Sequence, residues 1–507
     1  MTSIPPVPLG LLAPELVVLA VAMVVLLADL WLPPARRGLL VVAAVAGAVA
    51  AAWLGLGLPD GVGFAGTYVR DGLTRAGQTL ALAATALGLL VAPEYLRRGG
   101  LDRGEYYFLV LVAGLGAMLM AASRDLLLLF LALETLSVPL YVLAATGRGS
   151  VRSQEAGIKY FLLGAFASAF FLYGVALVYG TTGTTRLPEI GAAFSAQPVS
   201  ASAAAGVGLL VIGLGFKAAL VPFHTWAPDV YEGAPFPAAA FMSVVAKIGA
   251  FVALVRVFPM TLGALALHWS ALLGALAVLT MVVGNLAALL QTSYKRMLAY
   301  SSIAHAGYLL VGVAVGTPQA VGAVITYLLV YAAMGTGAFA VAIALERGGA
   351  EADRIDDYAG LSARAPLLAV AGGLFMVSLA GLPPTGGFMA KLGVFLAAAD
   401  AGLPGVILAL VGFLTSVVSV YYYLRVAYVM FSPAPSAGVT PAQRSGVVHA
   451  DATAIAPGSG TAGAAVRLHA SPLLNLAVLV AAAAVIQTGI LPSTVAALGA
   501  QVAALLR

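Results

Sequence analysis

The chain is built from apolar stretches of about 20 residues, which short connections rich in polar residues, proline or glycine separate. Because about 20 helical residues span the roughly 30 Å hydrocarbon core of a bilayer, each stretch is a candidate membrane-crossing helix. The predicted fold is therefore an all-α polytopic membrane protein. Its fourteen predicted helices are residues 11–32, 39–58, 72–92, 106–122, 125–146, 155–180, 203–227, 236–258, 267–290, 298–316, 319–346, 366–399, 404–431 and 471–492. The fourth is short and nearly fused to the fifth, so thirteen crossings are the alternative.

The composition supports this fold class and excludes several others. Hydrophobic residues form 62% of the 507-residue chain and charged residues only 9%, whereas a soluble protein carries roughly 25% charged residues. The net charge of +5 is expected to set membrane topology and not to bind nucleic acid. The absence of cysteine excludes disulfides, thiolate zinc sites and cysteine-held iron–sulfur clusters. No basic segment precedes the long first apolar stretch, so a cleaved signal peptide is not predicted.

The arginines and lysines of the loops are distributed unequally between the two sides of the membrane. Loops after odd-numbered predicted helices hold fourteen of them, and the opposite face holds six. Since basic residues accumulate in cytoplasmic loops, both chain termini are predicted to lie on the non-cytoplasmic face. Residues 432–470 are rich in Ala, Gly, Pro, Ser and Thr and show no apolar period. They are predicted to form a flexible cytoplasmic loop.

Two of the predicted helices contain residues that interrupt a helix. Proline lacks a backbone donor and clashes with the preceding turn. A straight helix over 366–399 would also extend about 51 Å, well beyond the hydrocarbon core. The interrupting residues are Pro222 in the seventh helix and Pro383, Pro384, Gly386 and Gly387 in the twelfth. Paired discontinuous helices are typical of transporters built from inverted repeats, which hold their ion sites at the breaks.

The spacing of the two breaks predicts the domain organisation. They lie five helices apart, which indicates two five-helix repeats, helices 4–8 and helices 9–13. An odd number of helices per repeat makes the two copies inverted. The predicted regions are 1–105 (helices 1–3), 106–258 (first repeat), 259–431 (second repeat), 432–470 (loop) and 471–507 (helix 14).

Four charged residues lie deep within the apolar stretches: Glu134, Lys217, Lys247 and Lys391. A charge at the bilayer centre costs at least roughly 2.5–3.5 kcal/mol, so such residues face the protein interior and mark ion or proton pathways. Glu134 is the expected partner of Lys217. Two unit charges 4 Å apart attract by about 4 kcal/mol at an effective dielectric constant of 20, so movement of the carboxylate would switch the proton affinity of the lysine. A static ion pair that joins two helices is the alternative.

Three further residues are candidates for the same pathway. Lys159 lies near the start of its helix and either supports proton transfer or extends to the membrane surface. His305 lies among hydroxyl residues, which suits a proton relay, although a packing role is the alternative. His224 follows the seventh-helix break and is either a relay or a structural hydrogen-bonding group. The histidines do not form the facing pairs that a bis-histidine haem requires, so neither haem nor metal is predicted.

Three long segments carry a family resemblance. Residues 217–235 read KAALVPFHTWAPDVYEGAP, residues 295–308 read KRMLAYSSIAHAGY, and residues 381–391 read GLPPTGGFMAK. They resemble the antiporter-like membrane subunits of respiratory complex I, the proton-translocating NADH:quinone oxidoreductase, and of the multisubunit cation/proton antiporters. The chain is most similar to the N-type subunits. It ends after fourteen helices without a lateral helix, and Lys391 stands where M-type subunits usually carry glutamate.

The resemblance implies roles for these residues and for partner proteins. Glu134, Lys217, Lys247 and Lys391 would form the proton pathway, with Lys159 and His305 as supporting positions. The chain would bind no cofactor and have no redox site of its own, while FMN, iron–sulfur clusters and quinone belong to partner subunits. Its partners would be M-type and K-type membrane subunits and the hydrophilic redox arm, in a bacterial plasma membrane. The long 432–470 loop departs from the family pattern.

Two other functions are weighed against this one. The first is a subunit of a multisubunit sodium/proton antiporter, which shares the same lysines and glutamate. The second is a membrane scaffold that transports nothing, in which the buried lysines would be dispensable for coupled activity. Sodium dependence would identify the first, and unchanged coupling after replacement of Lys217 or Lys247 by leucine the second.

Overall fold

The computed structural model describes residues 8–196, 199–347, 350–433, 466–469 and 471–504. They form a mainly helical protein with two small β-sheets, which confirms the predicted fold class. Thirteen of the described helices are long and apolar enough to cross a membrane. Two shorter apolar helices, Pro366–Ala380 and Gly386–Ala399, occupy the position of the predicted twelfth helix. The number of crossings and the two inverted repeats stay predictions.

The helices and strands are numbered along the chain. In the first half the helices are α1 (Ala13–Ala28), α2 (Gly38–Gly57), α3 (Gly72–Arg98), α4 (Gly104–Ala122), α5 (Leu126–Ala144), α6 (Val151–Thr182), α7 (Leu187–Ala196), α8 (Ala201–Ala218), α9 (Trp226–Gly233) and α10 (Phe236–Val257). In the second half they are α11 (Ala266–Leu289), α12 (Tyr294–Val315), α13 (Pro318–Ile343), α14 (Leu361–Arg364), α15 (Pro366–Ala380), α16 (Gly386–Ala399), α17 (Leu403–Phe431), α18 (Pro472–Ile490) and α19 (Ser493–Ala503). The strands are β1 (Gly61–Gly63), β2 (Tyr68–Arg70), β3 (Leu345–Arg347), β4 (Ala350–Glu351) and β5 (Val466–Leu468).

Helix α10 lies at the centre of the protein. Every one of its residues is buried, and it packs against α3, α4, α8 and α13. Helices α12 and α13 are nearly as enclosed, whereas α6 and α17 present most of their surface outward. The outward side chains are large and apolar, such as Phe161, Phe166 and Phe170 of α6. A continuous apolar surface of this kind is typical of contact with a membrane or with another membrane protein.

The first predicted break is present, and it begins earlier than predicted. Helix α8 ends at Ala218, Ala219 adopts the left-handed conformation with φ 59°, and α9 begins only at Trp226. The prediction of one helix over 203–227 is therefore wrong beyond Ala218. Proline disfavours a helical conformation in the residue before it, and its ring clashes with the preceding helical turn. The chain therefore leaves the helix ahead of Pro222.

The second predicted break separates α15 from α16. Helix α15 ends at Ala380, and α16 begins at Gly386 and carries Lys391. Gly381 has a φ of 81°, and a Cβ atom there would lie 2.7 Å from Cδ of Lys391. Glycine is therefore required both by the backbone conformation and by the close approach of the lysine.

Several short elements do not appear among the sequence predictions. They are the antiparallel hairpin β1–β2, helices α7 and α19, and the sheet with strand order β4-β3-β5. Residues 434–465 and 470 of the predicted 432–470 loop lie outside the described residues. Near its end the loop prediction is wrong, because β5 pairs with β3 in antiparallel register. Strands of three residues are too short to show a period-2 pattern, so the sequence does not reveal them.

A buried ion pair joins α10 to the start of α3. Arg256 donates to both carboxylate oxygens of Asp71 at 2.9 Å, and also to the Ala121 carbonyl at 3.0 and 2.7 Å. Asp71 also caps α3, because its Oδ1 accepts a hydrogen bond from the Thr74 amide at 2.8 Å. Burial opposes ionisation of Asp71, but Arg256 and Thr74 outweigh it and lower the pKa of this carboxyl group to about 2.

We expect Asp71→Ala to destabilise the protein by roughly 3–5 kcal/mol, because it leaves the Arg256 guanidinium buried and unpaired. Asp60→Ala is the matched control: Asp60 pairs with Arg75 at 2.7 Å on an exposed surface, where such pairs contribute at most about 1 kcal/mol. Thermal unfolding in detergent, followed by tryptophan fluorescence, measures both. Because folding lowers the pKa of Asp71, its contribution is complete at neutral pH and disappears as the pH falls from about 4 towards 2. Equal losses in the two variants would contradict the assignment.

The predicted topology is tested by single-cysteine labelling, since the native chain contains no cysteine. Ala35 and Ala401 are exposed, in the connections that precede α2 and α17. We expect a membrane-impermeant maleimide to label Ala35→Cys only from the cytoplasmic side and Ala401→Cys only from the opposite side. Labelling of both from one side would refute the predicted orientation.

Candidate proton pathway

Lys217 lies in the last turn of α8, where the first break begins. Its side chain is buried, and its Nζ donates a hydrogen bond to the Tyr160 hydroxyl at 3.3 Å. The ammonium also lies 5.6 and 5.2 Å from the ring centroids of Tyr141 and Tyr160. A neutral hydroxyl and two aromatic faces therefore surround this amine.

Glu134, the expected partner of Lys217, does not form an ion pair with it among the residues that the structure describes. Its half-buried carboxylate accepts a hydrogen bond from the Ser168 hydroxyl of α6. Ser168 and Lys217 line the same narrow crevice between α5, α6 and α8. The static ion pair is therefore not observed, and Ser168 holds the carboxylate beside the crevice that contains the amine.

Lys247 lies in the middle of α10, fully enclosed. Its Nζ is 5.8 Å from the ring centroid of Tyr331. The Tyr331 hydroxyl donates to Ser302 Oγ at 3.0 Å, and Ser302 Oγ lies 3.4 Å from the Tyr231 hydroxyl. Lys247 is thus next to a series of buried hydroxyl groups that extends from α9 through α12 to α13.

His305 lies in α12 between two tyrosines. Its Nδ1 is 2.6 Å from the Tyr327 hydroxyl, and its Nε2 is 3.1 Å from the Tyr423 hydroxyl. The Tyr331 ring lies 5.2 Å away, between the histidine and Lys247. Both ring nitrogens of His305 have hydroxyl partners, so the imidazole is placed both to accept and to donate a hydrogen bond.

Lys391 lies opposite the end of α15, across the second break. Its Nζ donates to the carbonyls of Leu379 and Ala380 at 3.1 and 2.9 Å, and to Ser416 Oγ at 2.8 Å. The last carbonyls of a helix lack intrahelical partners and carry partial negative charge. The break therefore provides the acceptors for the ammonium, and the Tyr308 ring, 4.9 Å away, covers another side of it.

Lys159 lies apart from these buried groups. It is 43% exposed and pairs with Glu155 at 2.7 Å and Asp229 at 3.2 Å. Arg296 pairs with Asp229 and Glu232, both at 2.8 Å. This charged cluster borders a cavity of about 220 Å³ lined by Arg152, Glu155, Ala156, Lys159, Asp229, Glu232 and Gly233. The next residue, Tyr160, is the hydrogen-bond partner of Lys217.

His224 lies within the first break, between α8 and α9. It is half-buried, and its Nδ1 has no hydrogen-bond partner in the described part of the chain. Pro222 lies two residues before it, in the segment that the helix break leaves non-helical. His224 is therefore close to Lys217 in the sequence, but among the described residues the two side chains make no hydrogen bond with each other.

The sequence predictions missed most of the groups that connect these residues. They are Tyr160, Tyr231, Tyr327, Tyr331, Tyr422, Tyr423, Ser416 and Asn285, whereas Ser302 and Tyr308 were among the hydroxyl residues noted around His305. One signal was available: Tyr327 and Tyr331 are four residues apart and share one face of α13. A tyrosine buried in a membrane helix requires a partner for its hydroxyl group, so such a pair indicates a polar interior. Within the described residues, no group of three or more metal-binding side chains occurs.

Comparison with known proteins identifies the family. Residues 123–419 match the family described as NADH:quinone oxidoreductase/Mrp antiporter, membrane region. The chain belongs to this family. It is 47% identical over 453 residues to NADH-quinone oxidoreductase subunit N of Chloroflexus aggregans, covering 88% of this chain and 92% of that protein. It is 45% identical over 434 residues to the subunit N of Trichlorobacter lovleyi, covering 84% and 88%.

Solved structures agree with this family. A chain of respiratory complex I from Thermus thermophilus, with bound aureothin, superposes with a TM-score of 0.76 and 36% identity, covering 96% of this chain and 98% of that one. A chain of the Mrp complex from Dietzia superposes with a TM-score of 0.79 and 24% identity, covering 98% and 96%. At that identity the second similarity shows the common fold only.

Proposed function

We propose that this chain translocates protons as an N-type membrane subunit of an NADH–quinone oxidoreductase. The observation that carries the proposal is the environment of three lysines, Lys217, Lys247 and Lys391. Each is 4% exposed or less, and none forms an ion pair within the described ranges. A buried amine that is surrounded by neutral groups gains and loses a proton far more readily than one held by a carboxylate. Three such amines suit proton transfer better than static packing.

Glu134 is proposed to control Lys217 without touching it in this conformation. The carboxylate is held by Ser168, which shares a crevice with Lys217. Movement of the carboxylate to within 4 Å of the ammonium would add about 4 kcal/mol of attraction at an effective dielectric constant of 20. That change is enough to alter the proton occupancy of the lysine by orders of magnitude.

Lys247 and Lys391 are proposed to exchange protons through the tyrosines around His305. Tyr331 lies between Lys247 and His305, and Tyr423 joins His305 to α17. Hydroxyl and imidazole groups both donate and accept hydrogen bonds, so a proton added at one end of such a series can be released at the other. Lys159 would support proton uptake at the charged cavity, and His224 would act within the break next to Lys217.

The remaining assignments concern partners and location. We infer that FMN, iron–sulfur clusters and quinone are held by other subunits, and that this chain has no redox site. The absence of cysteine supports this inference, because iron–sulfur clusters are held mainly by cysteine. M-type and K-type membrane subunits are the proposed neighbours. The proposed location is a bacterial plasma membrane, with both termini outside the cytoplasm.

A sodium/proton antiporter subunit is the second candidate, because the family includes the Mrp antiporters. The surroundings of the lysines favour protons. The described contacts of Lys217 and Lys391 are hydroxyl groups, backbone carbonyls and aromatic rings. Carboxylates are typical ligands of hard cations such as sodium. Among the described residues, no carboxylate forms an ion pair with either of these two amines. Pumping that requires sodium would establish the antiporter instead.

We expect both Lys217→Ala and Lys217→Arg, in the complete membrane complex, to lower coupled quinone reduction and proton pumping roughly tenfold or more. Arginine keeps the positive charge but does not release its proton, so it cannot replace a lysine that must be deprotonated. Pumping is measured with a pH-sensitive dye in proteoliposomes, alongside NADH oxidation.

The two variants together separate transfer from packing. If Lys217 merely pairs with Glu134, arginine would restore activity and alanine would not. If the chain is only a scaffold, Lys247→Leu as well as both Lys217 variants would assemble and pump at the normal rate. Either result would contradict the proposed proton pathway.

A further inference from the structure

Asn285 is a buried amide in α11, a helix that supplies none of the lysines or histidines of the proposed pathway. It is 1% exposed, and all of its polar atoms have partners. Nδ2 donates to the Met281 carbonyl at 2.7 Å and to the Tyr308 hydroxyl at 2.9 Å, and Oδ1 accepts from the Tyr422 hydroxyl at 3.0 Å. The amide therefore joins tyrosines of two different helices, α12 and α17.

These contacts fix the direction of each hydrogen bond. The Met281 carbonyl only accepts, so Nδ2 must point towards it and Oδ1 away from it. The Tyr308 oxygen then accepts from Nδ2, which leaves the hydrogen of Tyr308 free for another acceptor. Ser416, a direct partner of Lys391, accepts from its Nζ at 2.8 Å and donates to the Ala380 carbonyl at 3.3 Å.

The same tyrosine ring covers the ammonium group of Lys391. The distance from Nζ to the ring centroid of Tyr308 is 4.9 Å, which is within the range of a cation–π contact. The ring attracts the ammonium only while its face stays turned towards Nζ. The hydrogen bond from Asn285 Nδ2 to the Tyr308 hydroxyl group keeps the ring in that orientation. The other partners of Lys391 are two backbone carbonyls and Ser416.

On its other side Asn285 is connected to His305 indirectly, through Tyr422 and Tyr423. The Tyr422 and Tyr423 rings are in contact, with centroids 4.4 Å apart, and Tyr423 is hydrogen-bonded to Nε2 of His305. The amide thus fixes the tyrosines on both sides of the route between His305 and Lys391. An amide does not titrate, so no proton passes through it.

We propose that Asn285 is a positioning residue for proton transfer at Lys391. It holds the Tyr308 hydroxyl group, and so keeps the tyrosine ring facing the ammonium of Lys391. This inference rests on the proposed function of Lys391, and the experiment is designed so that the two can fail separately.

The test uses the complete complex in proteoliposomes and compares Asn285→Leu with Gln291→Leu. Gln291 is a second side-chain amide, just beyond the end of α11. Among the described residues, its side chain donates a hydrogen bond to the Ala287 carbonyl of α11 itself and does not join two helices. We expect Asn285→Leu to lower the rate of coupled proton pumping roughly fivefold, the rate equivalent of one lost hydrogen bond. We expect Gln291→Leu to leave that rate unchanged.

A double variant distinguishes positioning from packing. If Asn285 acts through the Tyr308 hydroxyl, Asn285→Leu combined with Tyr308→Phe pumps as well as Tyr308→Phe alone. Multiplied losses would show independent structural effects and would overturn the proposal. If Asn285→Leu fails to assemble, Tyr308→Phe and Tyr422→Phe, which each remove one oxygen atom, must both lower the pumping rate. Normal pumping in either of those two variants would also overturn the proposal.

Lys391→Ala separates this inference from the proposed function. Normal pumping by that variant would refute the role of Lys391 itself. Reduced pumping by Lys391→Ala together with normal pumping by assembled Asn285→Leu would refute only the positioning role of the amide.

Discussion

The architecture depends on one constraint: an ammonium group inside an apolar helix bundle needs hydrogen-bond acceptors or aromatic faces around it, because lipid supplies neither. Lys391 shows how the constraint is met. The chain breaks between α15 and α16, and the break leaves carbonyls of Leu379 and Ala380 free to accept from the amine. A continuous helix would have used those carbonyls in its own hydrogen bonds. The end of α15 at the break thus supplies two of the hydrogen-bond acceptors of the lysine.

The first break meets the same constraint in a different way. Lys217 belongs to the helix that ends, whereas Lys391 belongs to the helix that begins after the break. Lys217 cannot use the helix end in the same manner and lies instead against Tyr160 and Tyr141. Trp226 stacks on Tyr160 with ring centroids 4.3 Å apart, so residues of α9 hold the hydroxyl partner of the amine in place. The two halves therefore present their lysines to different kinds of neighbour.

Two buried ion pairs lie at the ends of helices, apart from Lys217, Lys247 and Lys391. Arg256 is held by Asp71 at the start of α3, and Lys295 contacts Glu351 at 2.5 Å beside the loop that follows α13. These pairs hold the helix ends while the interior relies on neutral hydroxyl, carbonyl and aromatic groups. A carboxylate beside an interior amine would hold its proton, so this separation suits the proton exchange proposed for Lys217, Lys247 and Lys391.

The sequence alone determined the fold class, the approximate helices, the two breaks and the burial of Lys217, Lys247 and Lys391. These follow from local properties: apolar length, proline and glycine, and the cost of a charge in hydrocarbon. The sequence could not determine which groups surround each amine. Glu134 was expected against Lys217, but it is hydrogen-bonded to Ser168. Tyr423 and Asn285 received no role. Their contacts join residues far apart in the chain, such as Asn285 and Tyr422. Only the packing of α11, α12 and α17 against one another brings them together, and no local pattern encodes that packing.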